Sequence, residues 1–209
     1  MSFSGFNKND FSVFLTEGLE ERMEGIREQI QPKFKEIGAI LSDDIAMLAG
    51  NEMHLHIAKH ARRTVNPPKD TWLAICHDKR GYKKHPHFQV GLFDDHVFLW
   101  LAFIYEMPNK KEIAQQFLQD FDTVKSTIPD DYVISLDHMK KEAHSFQTMG
   151  ETGLNEALVR FRDIKKAEFL VGQHIKADDP ILQDGEQFLE KAKSTFETLI
   201  PLYKKAFSY

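Results

Sequence analysis

The chain has only one cysteine among its 209 residues, so it cannot form an internal disulfide framework. That lone cysteine, Cys76, fits a reducing compartment, and we expect a cytoplasmic protein. The longest apolar run, residues 97–105, is about half of the roughly 20 residues that a helix needs to cross a bilayer. Residues 1–6 have neither the basic start nor the apolar core of an export signal. We therefore expect no membrane partner.

Repeats and linkers are also missing. The sequence contains no internal repeat, no low-complexity stretch and no linker rich in serine, glycine or proline. Its apolar content of 42%, with 17 phenylalanines, is enough to bury a substantial core. We therefore predict a single domain over residues 1–209.

The first quarter of the chain has helical periodicity. From Leu19 to Leu48 the apolar residues recur every three or four positions, which predicts a long amphipathic helical region with one buried stripe. Pro32 is expected to kink or divide this region, and Gly50 is expected to end it. A short helix is expected before it, over residues 10–15.

From residue 54 onward the apolar period changes to two. Four segments within residues 54–105 either alternate or are apolar throughout, and turn residues separate them, which predicts an antiparallel meander. Later segments predict helices near Pro108, Leu154 and Ile181, with strands over residues 132–136 and 168–175. The order of elements predicts an α+β fold, in which helices cover a mainly antiparallel sheet mainly on one face.

Charge is distributed unevenly along the chain. The segment from His54 to His87 holds eight basic and two acidic residues, a net charge of +6, whereas the whole chain carries −5. Six of the ten histidines lie in the same segment. Because the rest of the chain is acidic, we do not expect the protein to coat nucleic acid. Attraction of one anionic group is the simplest function for this basic segment.

Strand parity predicts that many of these histidines share one face of the sheet. Side chains alternate across a strand, so every second residue of the first, third and last predicted strands points the same way. The residues grouped by this rule are His54, His56, His60, His87, Gln89, Gly91, Gly172 and His174. If the apolar side chains all face one helical layer, the grouped residues form a polar, partly open sheet face. Glycines there would let a ligand approach closely.

Two other interpretations of the histidines stay open. They could be solvated polar residues on the wet face of the sheet, without a ligand. They could instead bind a metal ion, because His54 and His56 point the same way, as do His85 and His87. Zinc requires three or four converging ligands, and no carboxylate is placed to complete a recognisable set. We therefore predict no metal site.

Two basic runs, residues 59–63 and 79–87, connect the predicted strands. Guanidinium groups match two phosphate or carboxylate oxygens at once, and lysines add less directional charge. Tyr82 is placed to stack on a ring, and Gly81 permits a tight turn close to an anion. Hairpin loops are often rich in lysine, yet two such runs on an acidic protein favour local anion binding. The predicted anion-binding residues are Arg62, Arg63, Lys79, Arg80, Tyr82, Lys83, Lys84, His54, His56, His87 and Gln89.

No catalytic set can be recognised in the sequence. Cys76 and His77 are neighbours on a strand, so their side chains point to opposite faces, and Cys76 is expected in the core. Glu106 ends the most apolar strand and is a candidate acid or base. The chain has no phosphate loop, no dinucleotide-binding turn and no nucleophile elbow. The sequence therefore names neither a catalytic residue nor a cofactor.

One stretch is distinctive enough to suggest a family. It comprises residues 61–68, 70–72 and 79–92, which read ARRTVNPP, DTW and KRGYKKHPHFQVGL. It resembles the YktB-like family of uncharacterised bacterial proteins, and the likeness runs through the whole chain. The resemblance implies a single-domain α+β protein of a Gram-positive-type bacterium, with a fold grouped with biotin ligases and class II aminoacyl-tRNA synthetases. It implies no activity and no site residues, and this chain lacks the glycine-rich loop of biotin ligases.

Three functional hypotheses follow. The first is a cytoplasmic module that binds a small anion, such as a phosphate or nucleotide-like ligand, on the face lined by histidine, arginine and lysine. The second is an enzyme of phosphoester or acyl-transfer chemistry that uses His56 or His87 as a general base. The third is a protein or RNA interaction surface, which an exposed Tyr82 would favour. Nucleic acid is not the favoured partner, and no oligomeric state can be inferred.

Overall fold

Seven strands form one antiparallel sheet in the computed structural model, which describes residues 3–208. Counted along the chain, the strands lie across the sheet in the order one, two, three, four, seven, five, six. They are β1 (His54–Ile57), β2 (Thr71–Cys76), β3 (His87–Leu92), β4 (His96–Phe103), β5 (Val133–Ser135), β6 (His144–Ser145) and β7 (Phe169–Lys176).

Helices precede, separate and follow these strands. In the described residues they are α1 (Lys8–Ser12), α2 (Leu19–Gly25), α3 (Gln31–Ala49), α4 (Lys110–Gln119), α5 (Phe121–Thr127), α6 (Phe146–Asp163) and α7 (Gly185–Lys205). The order confirms the predicted α+β fold. It adds α5 and β6, which periodicity did not predict because they are only seven and two residues long. No helix in residues 3–208 is both long and apolar enough to cross a membrane.

The long α3 helix has the predicted buried stripe. Phe34, Ile37, Leu41 and Ile45 are buried in the core that α3 and α7 form with one face of the sheet. Their spacing of three or four residues places them on one side of the helix, so the stripe is buried while the opposite side stays in water. Gly50 ends the helix with a φ of 79°, which glycine adopts without a steric penalty.

Pro32 marks an irregularity in the helical region, at the place where the sequence predicts a kink or a division. It stands in the first turn of α3, and a π-helical turn, Ile26–Ile30, comes directly before that helix. A proline ring clashes with the carbonyl group four residues earlier, which here belongs to Glu28 inside the π turn. The wider turn accommodates the proline without ending the run of helix.

The strand register confirms the predicted parity. His56 pairs with Ala74, Ala74 with Gln89, and Gln89 with Trp100. These four side chains therefore form one row across the sheet, on the face opposite to the helices. His87 precedes Gln89 by two residues and lies on this same face.

The prediction of a partly open sheet face is wrong at its centre. His87 is 0% exposed and Gln89 is 2% exposed. A second buried cluster, which contains Trp72, Phe98 and Trp100, lies over this face, and side chains from the connecting loops pack against it. Sequence parity places residues on a face, but it does not report whether loops cover that face.

The glycines of this face let neighbouring groups of the sheet approach closely, and not a ligand. A Cβ atom at Gly91 would collide with the Phe98 ring, and one at Gly172 would collide with the carbonyl group of Leu99. Close approach at these positions therefore serves packing within the sheet.

Cys76 and His77 lie as their neighbouring positions predict. Cys76 is fully buried, and burial raises the pKa of its thiol to about 11. His77 points to the other face, where its Nδ1 atom lies 3.4 Å from the hydroxyl oxygen of Tyr203 on α7. The thiol is therefore a core group and not a nucleophile.

We expect Gly91→Ala to lower the free energy of unfolding by about 1–3 kcal/mol, because overpacking against Phe98 must displace the ring. Gly81→Ala is the matched control, because a Cβ atom there meets nothing within 4 Å. Its effect should stay within about 0.5 kcal/mol. Chemical denaturation measures both values, and equal stability of the two variants would contradict the packing described here.

Candidate functional site

The two basic runs frame a cleft on the side of the sheet opposite to the helices. We call it the basic cleft, and it has a volume of about 700 Å³. It lies between the end of β1 and the connection from β2 to β3. Its lining residues are Leu55, His56, Ile57, Lys59, Asp78, Arg80, Gly81, Tyr82, Lys83, Lys84 and His85.

Asp78 organises the loop that forms one wall of the basic cleft. Its carboxylate accepts hydrogen bonds from the Arg80 backbone N–H at 2.7 Å and from His85 Nε2 at 3.1 Å. Its backbone carbonyl accepts a third from His56 Nε2 at 2.9 Å. The Arg80 backbone N–H and the His85 side chain lower the pKa of the Asp78 carboxyl group. The acidic residue of the cleft is thus engaged within the loop.

Tyr82 forms the floor between the cleft and the sheet. Its hydroxyl oxygen accepts a hydrogen bond from Trp72 Nε1 at 3.0 Å. Its ring centroid lies 5.7 Å from that of His56 and 4.8 Å from that of His87. Because the ring packs against two histidines and its hydroxyl group is hydrogen-bonded, Tyr82 is held in position at the boundary of the cleft.

His87 and Gln89 lie beneath this floor and bond to each other. The His87 Nδ1–H group donates to the His85 carbonyl at 2.8 Å, so Nε2 is the acceptor for the Gln89 amide, also at 2.8 Å. Burial lowers the pKa of His87 to about 3, which keeps the ring neutral. Neither residue can meet a ligand in the cleft, and the prediction that they contact an anion directly is not supported by their burial.

Most cations of the basic cleft lack a carboxylate partner. Lys83 Nζ lies 3.1 Å from a Glu106 oxygen. Lys59, Arg80 and Lys84 form no ion pair with any residue in the range 3–208. Several uncompensated cations around one engaged carboxylate create a local positive potential, which attracts an anion.

A second cavity adjoins the basic cleft and shares Lys59, Tyr82 and Lys83 with it. We call it the His138 cavity, and its volume is about 460 Å³. Residues of both basic runs, of β2 and of the segment after β5 contribute to its lining. Its lining residues are Ala58, Lys59, His60, Ala61, Arg62, Arg63, Trp72, Tyr82, Lys83, Glu106, His138 and Met139.

His60 holds a strained backbone conformation at the edge of this cavity. Its φ is 49°, in the left-handed region that non-glycine residues rarely adopt. Its Nε2 atom lies 3.1 Å from the Thr71 hydroxyl oxygen. Burial, followed by the charge of Arg63, lowers the pKa of His60 to about 4. Such strain persists where the surroundings fix the chain, and it is common near functional sites.

His138 is bound to a buried carboxylate. Its backbone N–H donates to Glu168 Oε2 at 2.8 Å, and its Nδ1–H group donates to the same carboxylate at 2.8–2.9 Å. Burial alone would lower the pKa of His138, but the hydrogen bond to Glu168 and the charges of Glu168, Asp70 and Asp137 together raise it. The imidazole is therefore held in one orientation with its proton on Nδ1.

Asp70 lies just before β2 and is 1% exposed. Its Oδ2 atom has no hydrogen-bond partner in the described chain. Burial raises the pKa of Asp70 to about 7, although the charges of His138 and Arg63 oppose that rise. A buried carboxyl group with such a pKa is a feature of functional sites more often than of ordinary cores.

Residues 3–208 contain one group of three side chains that could together bind a metal ion. Asp137, His138 and Glu168 have ligand atoms within 4.8 Å of one another. However, the imidazole and the Glu168 carboxylate bond each other directly, and that carboxylate also accepts the backbone N–H of Tyr105 at 3.3 Å. We interpret the group as a hydrogen-bonded pair and not as a set of metal ligands.

The structure brings most of the predicted site residues together, in two neighbouring cavities. His56, Arg80, Tyr82, Lys83 and Lys84 line the basic cleft, and the remaining arginines of the prediction line the His138 cavity. The residues outside both cavities are His54, Lys79, His87 and Gln89.

Sequence reasoning missed His138, Glu168 and Asp70. They come from three distant segments, and no spacing rule connects them. The isolated Glu168 at the start of an apolar strand was the one available signal. Glu106 was singled out from the sequence, and it does line the His138 cavity.

Because Asp70 has a pKa of about 7 when folded and near 3.8 when unfolded, its ionisation opposes folding. Between these values the unfolded chain loses the proton first, so stability falls as pH rises. We expect Asp70→Asn to exceed the wild type in free energy of unfolding at pH 8, by up to about 4 kcal/mol, with no gain near pH 3. The exposed Asp178→Asn is the control. A pH-independent difference in denaturation measurements would contradict the assignment.

Comparison with known proteins identifies relatives but no activity. Residues 6–203 match the family described as "Domain of unknown function (DUF1054)". A UPF0637 protein of Shouchella clausii is 57% identical over 204 residues, which cover 98% of this chain and 95% of the relative. One of Oceanobacillus iheyensis is 57% identical over 204 residues and 97% of each chain. One of Listeria monocytogenes is 50% identical over 204 residues and 98% of each chain. The chain therefore belongs to the DUF1054 family of bacterial proteins.

Proposed function

We propose that this protein is a cytoplasmic module that binds a small phosphate-type anion where the basic cleft meets the His138 cavity. The observation that carries the proposal is the set of uncompensated cations on two converging loops. Lys59 lines both cavities, and Arg80 and Lys84 stand on one side of it. Arg62 and Arg63 stand on the other side.

The chemistry of these cations suits a compact, multiply charged oxyanion. Guanidinium groups donate two parallel hydrogen bonds to phosphate oxygens, and Lys59 adds charge without a fixed direction. The one carboxylate of the basic cleft, Asp78, is hydrogen-bonded within its own loop, and no lysine or arginine of the described residues forms an ion pair with it. Charge-assisted bonds of this type contribute about 1.5–3 kcal/mol each.

The charge distribution favours a small ligand over a polymer. The whole chain carries −5, whereas the segment from His54 to His87 carries +6. A long polyanion would extend beyond this segment along a chain of net negative charge, which weakens its attraction. Tyr82 is half-buried and hydrogen-bonded to Trp72, so it is less available to stack on a base than an exposed tyrosine would be.

We expect the double variant Lys59→Ala/Arg80→Ala to bind inorganic phosphate or pyrophosphate at least tenfold more weakly than the wild type, because it removes two charge-assisted contacts. Lys35→Ala is the matched control, since Lys35 is an exposed lysine of α3 that forms no ion pair with the residues that the structure describes. Isothermal titration calorimetry measures both affinities.

The wild-type affinity should also fall as the salt concentration rises, because salt screens contacts between exposed charges. Equal phosphate affinity for the double variant and the wild type would contradict the proposal, and so would an affinity that does not change with salt.

A further inference from the structure

We propose that His138 is the catalytic general base of a phosphomonoester hydrolase, and that Glu168 positions its imidazole. The substrate class is a phosphate monoester whose phosphate group lies at the junction of the two cavities. This inference rests on the proposed anion site, and it adds a reaction to it.

Glu168 orients the imidazole of His138. Glu168 is 3% exposed and accepts hydrogen bonds from both the backbone and the Nδ1–H group of His138. A carboxylate is an acceptor, so the proton of the neutral imidazole is on Nδ1 and Nε2 has a free lone pair. The same arrangement of carboxylate and histidine orients the base of serine hydrolases.

The Nε2 atom of His138 is accessible. No hydrogen bond to this atom occurs in the described part of the chain, and it is not among the buried polar atoms without a partner. His138 lines the His138 cavity and also a neighbouring cavity of about 460 Å³, which Glu168 lines as well. Because Glu168 bonds Nδ1 and lines only the neighbouring cavity, we infer that the opposite edge of the ring, with Nε2, faces the His138 cavity.

Several carboxylates surround His138. Glu168, Asp70 and Asp137 act on His138 from three different segments and stabilise its protonated form. Glu106 also lines the cavity, and it is paired with Lys83. These charges stabilise the imidazolium that forms when the base takes up a proton.

The proposed reaction is hydrolysis of the phosphate ester by water. His138 Nε2 takes a proton from a water molecule, and the water oxygen forms a new bond to phosphorus. The bond between phosphorus and the ester oxygen breaks on the opposite side of the phosphorus, the leaving oxygen takes a proton from solvent water, and the imidazolium returns its proton to the solvent. The products are inorganic phosphate and an alcohol. Lys59 and Arg63 balance the negative charge that the transition state spreads over the phosphate oxygens.

The structure argues against the histidines that the sequence suggested for this role. His87 is fully buried, and both of its ring nitrogens are hydrogen-bonded. His56 uses Nε2 to hold the Asp78 carbonyl. His138 has an accessible nitrogen together with an orienting carboxylate.

The test measures release of phosphate by the full chain from p-nitrophenyl phosphate, glycerol 3-phosphate and adenosine monophosphate. We expect turnover of at least one substrate, and a loss of about 100-fold or more in kcat in His138→Ala and His138→Asn. His54→Asn is the control for loss of a histidine, because His54 lines neither cavity. Both His138 variants should still bind inorganic phosphate.

Glu168→Gln separates positioning from simple structural support. It removes the charge that raises the pKa of His138, so the acidic limb of the pH profile of kcat should move to lower pH. A merely structural role would lower activity without moving that limb. If neither His138 variant folds, nitrogen NMR of the wild-type protein serves as the test instead. The Nε2 resonance of His138 must then titrate with pH, and it must shift when phosphate is added.

The outcomes distinguish the two proposals. Phosphate binding without turnover of any of the three substrates would overturn the role of His138 and leave the anion site intact. Failure of phosphate to bind would overturn the anion site itself. Three further results would each overturn the assignment of His138. One is turnover that survives in both His138 variants, and another is an acidic limb of the pH profile that does not move in Glu168→Gln. The third is hydrolysis of p-nitrophenyl acetate without hydrolysis of the phosphate esters.

Discussion

The buried carboxylate of Glu168 determines the geometry of the candidate site. It joins the start of β7 to the backbone N–H of Tyr105 after β4 and to both the backbone and the side chain of His138. Removing a carboxylate from water is costly, and only several hydrogen bonds offset that cost. The loop that carries His138 therefore has one stable position against the sheet.

A second buried charge fixes the adjoining end of α6. Lys110 donates to the carbonyl groups of Phe161, Ile164 and Ala167 at 2.6, 2.8 and 3.0 Å. These carbonyls close the helix and lead directly into the strand that begins beside Glu168. The ammonium group thus stabilises the end of the helix, where carbonyl groups lack partners within it.

Local patterns predicted the sheet well, because the alternation of side chains is a property of each strand alone. The row from His56 through Gln89 to Trp100 follows directly from that alternation. The same patterns could not predict that His87 is inaccessible, because its cover comes from loops that fold back from elsewhere.

The candidate base illustrates the same limit at longer range. His138 becomes chemically distinctive only beside Glu168, which lies 30 residues further along the chain. The charge imbalance of the basic segment, in contrast, is visible in composition alone, and the structure places most of its cations around two neighbouring cavities. The geometry of the candidate base depends on tertiary contacts.

The ion pair between Lys83 and Glu106 has a thermodynamic consequence for an anion at the junction of the two cavities. Lys83 lines both of them, and it cannot neutralise Glu106 and a bound anion equally well at the same time. An anion that recruits the ammonium group would therefore weaken the ion pair with Glu106. Linkage makes that effect reciprocal, so the ion pair would weaken the affinity for the anion by the same factor.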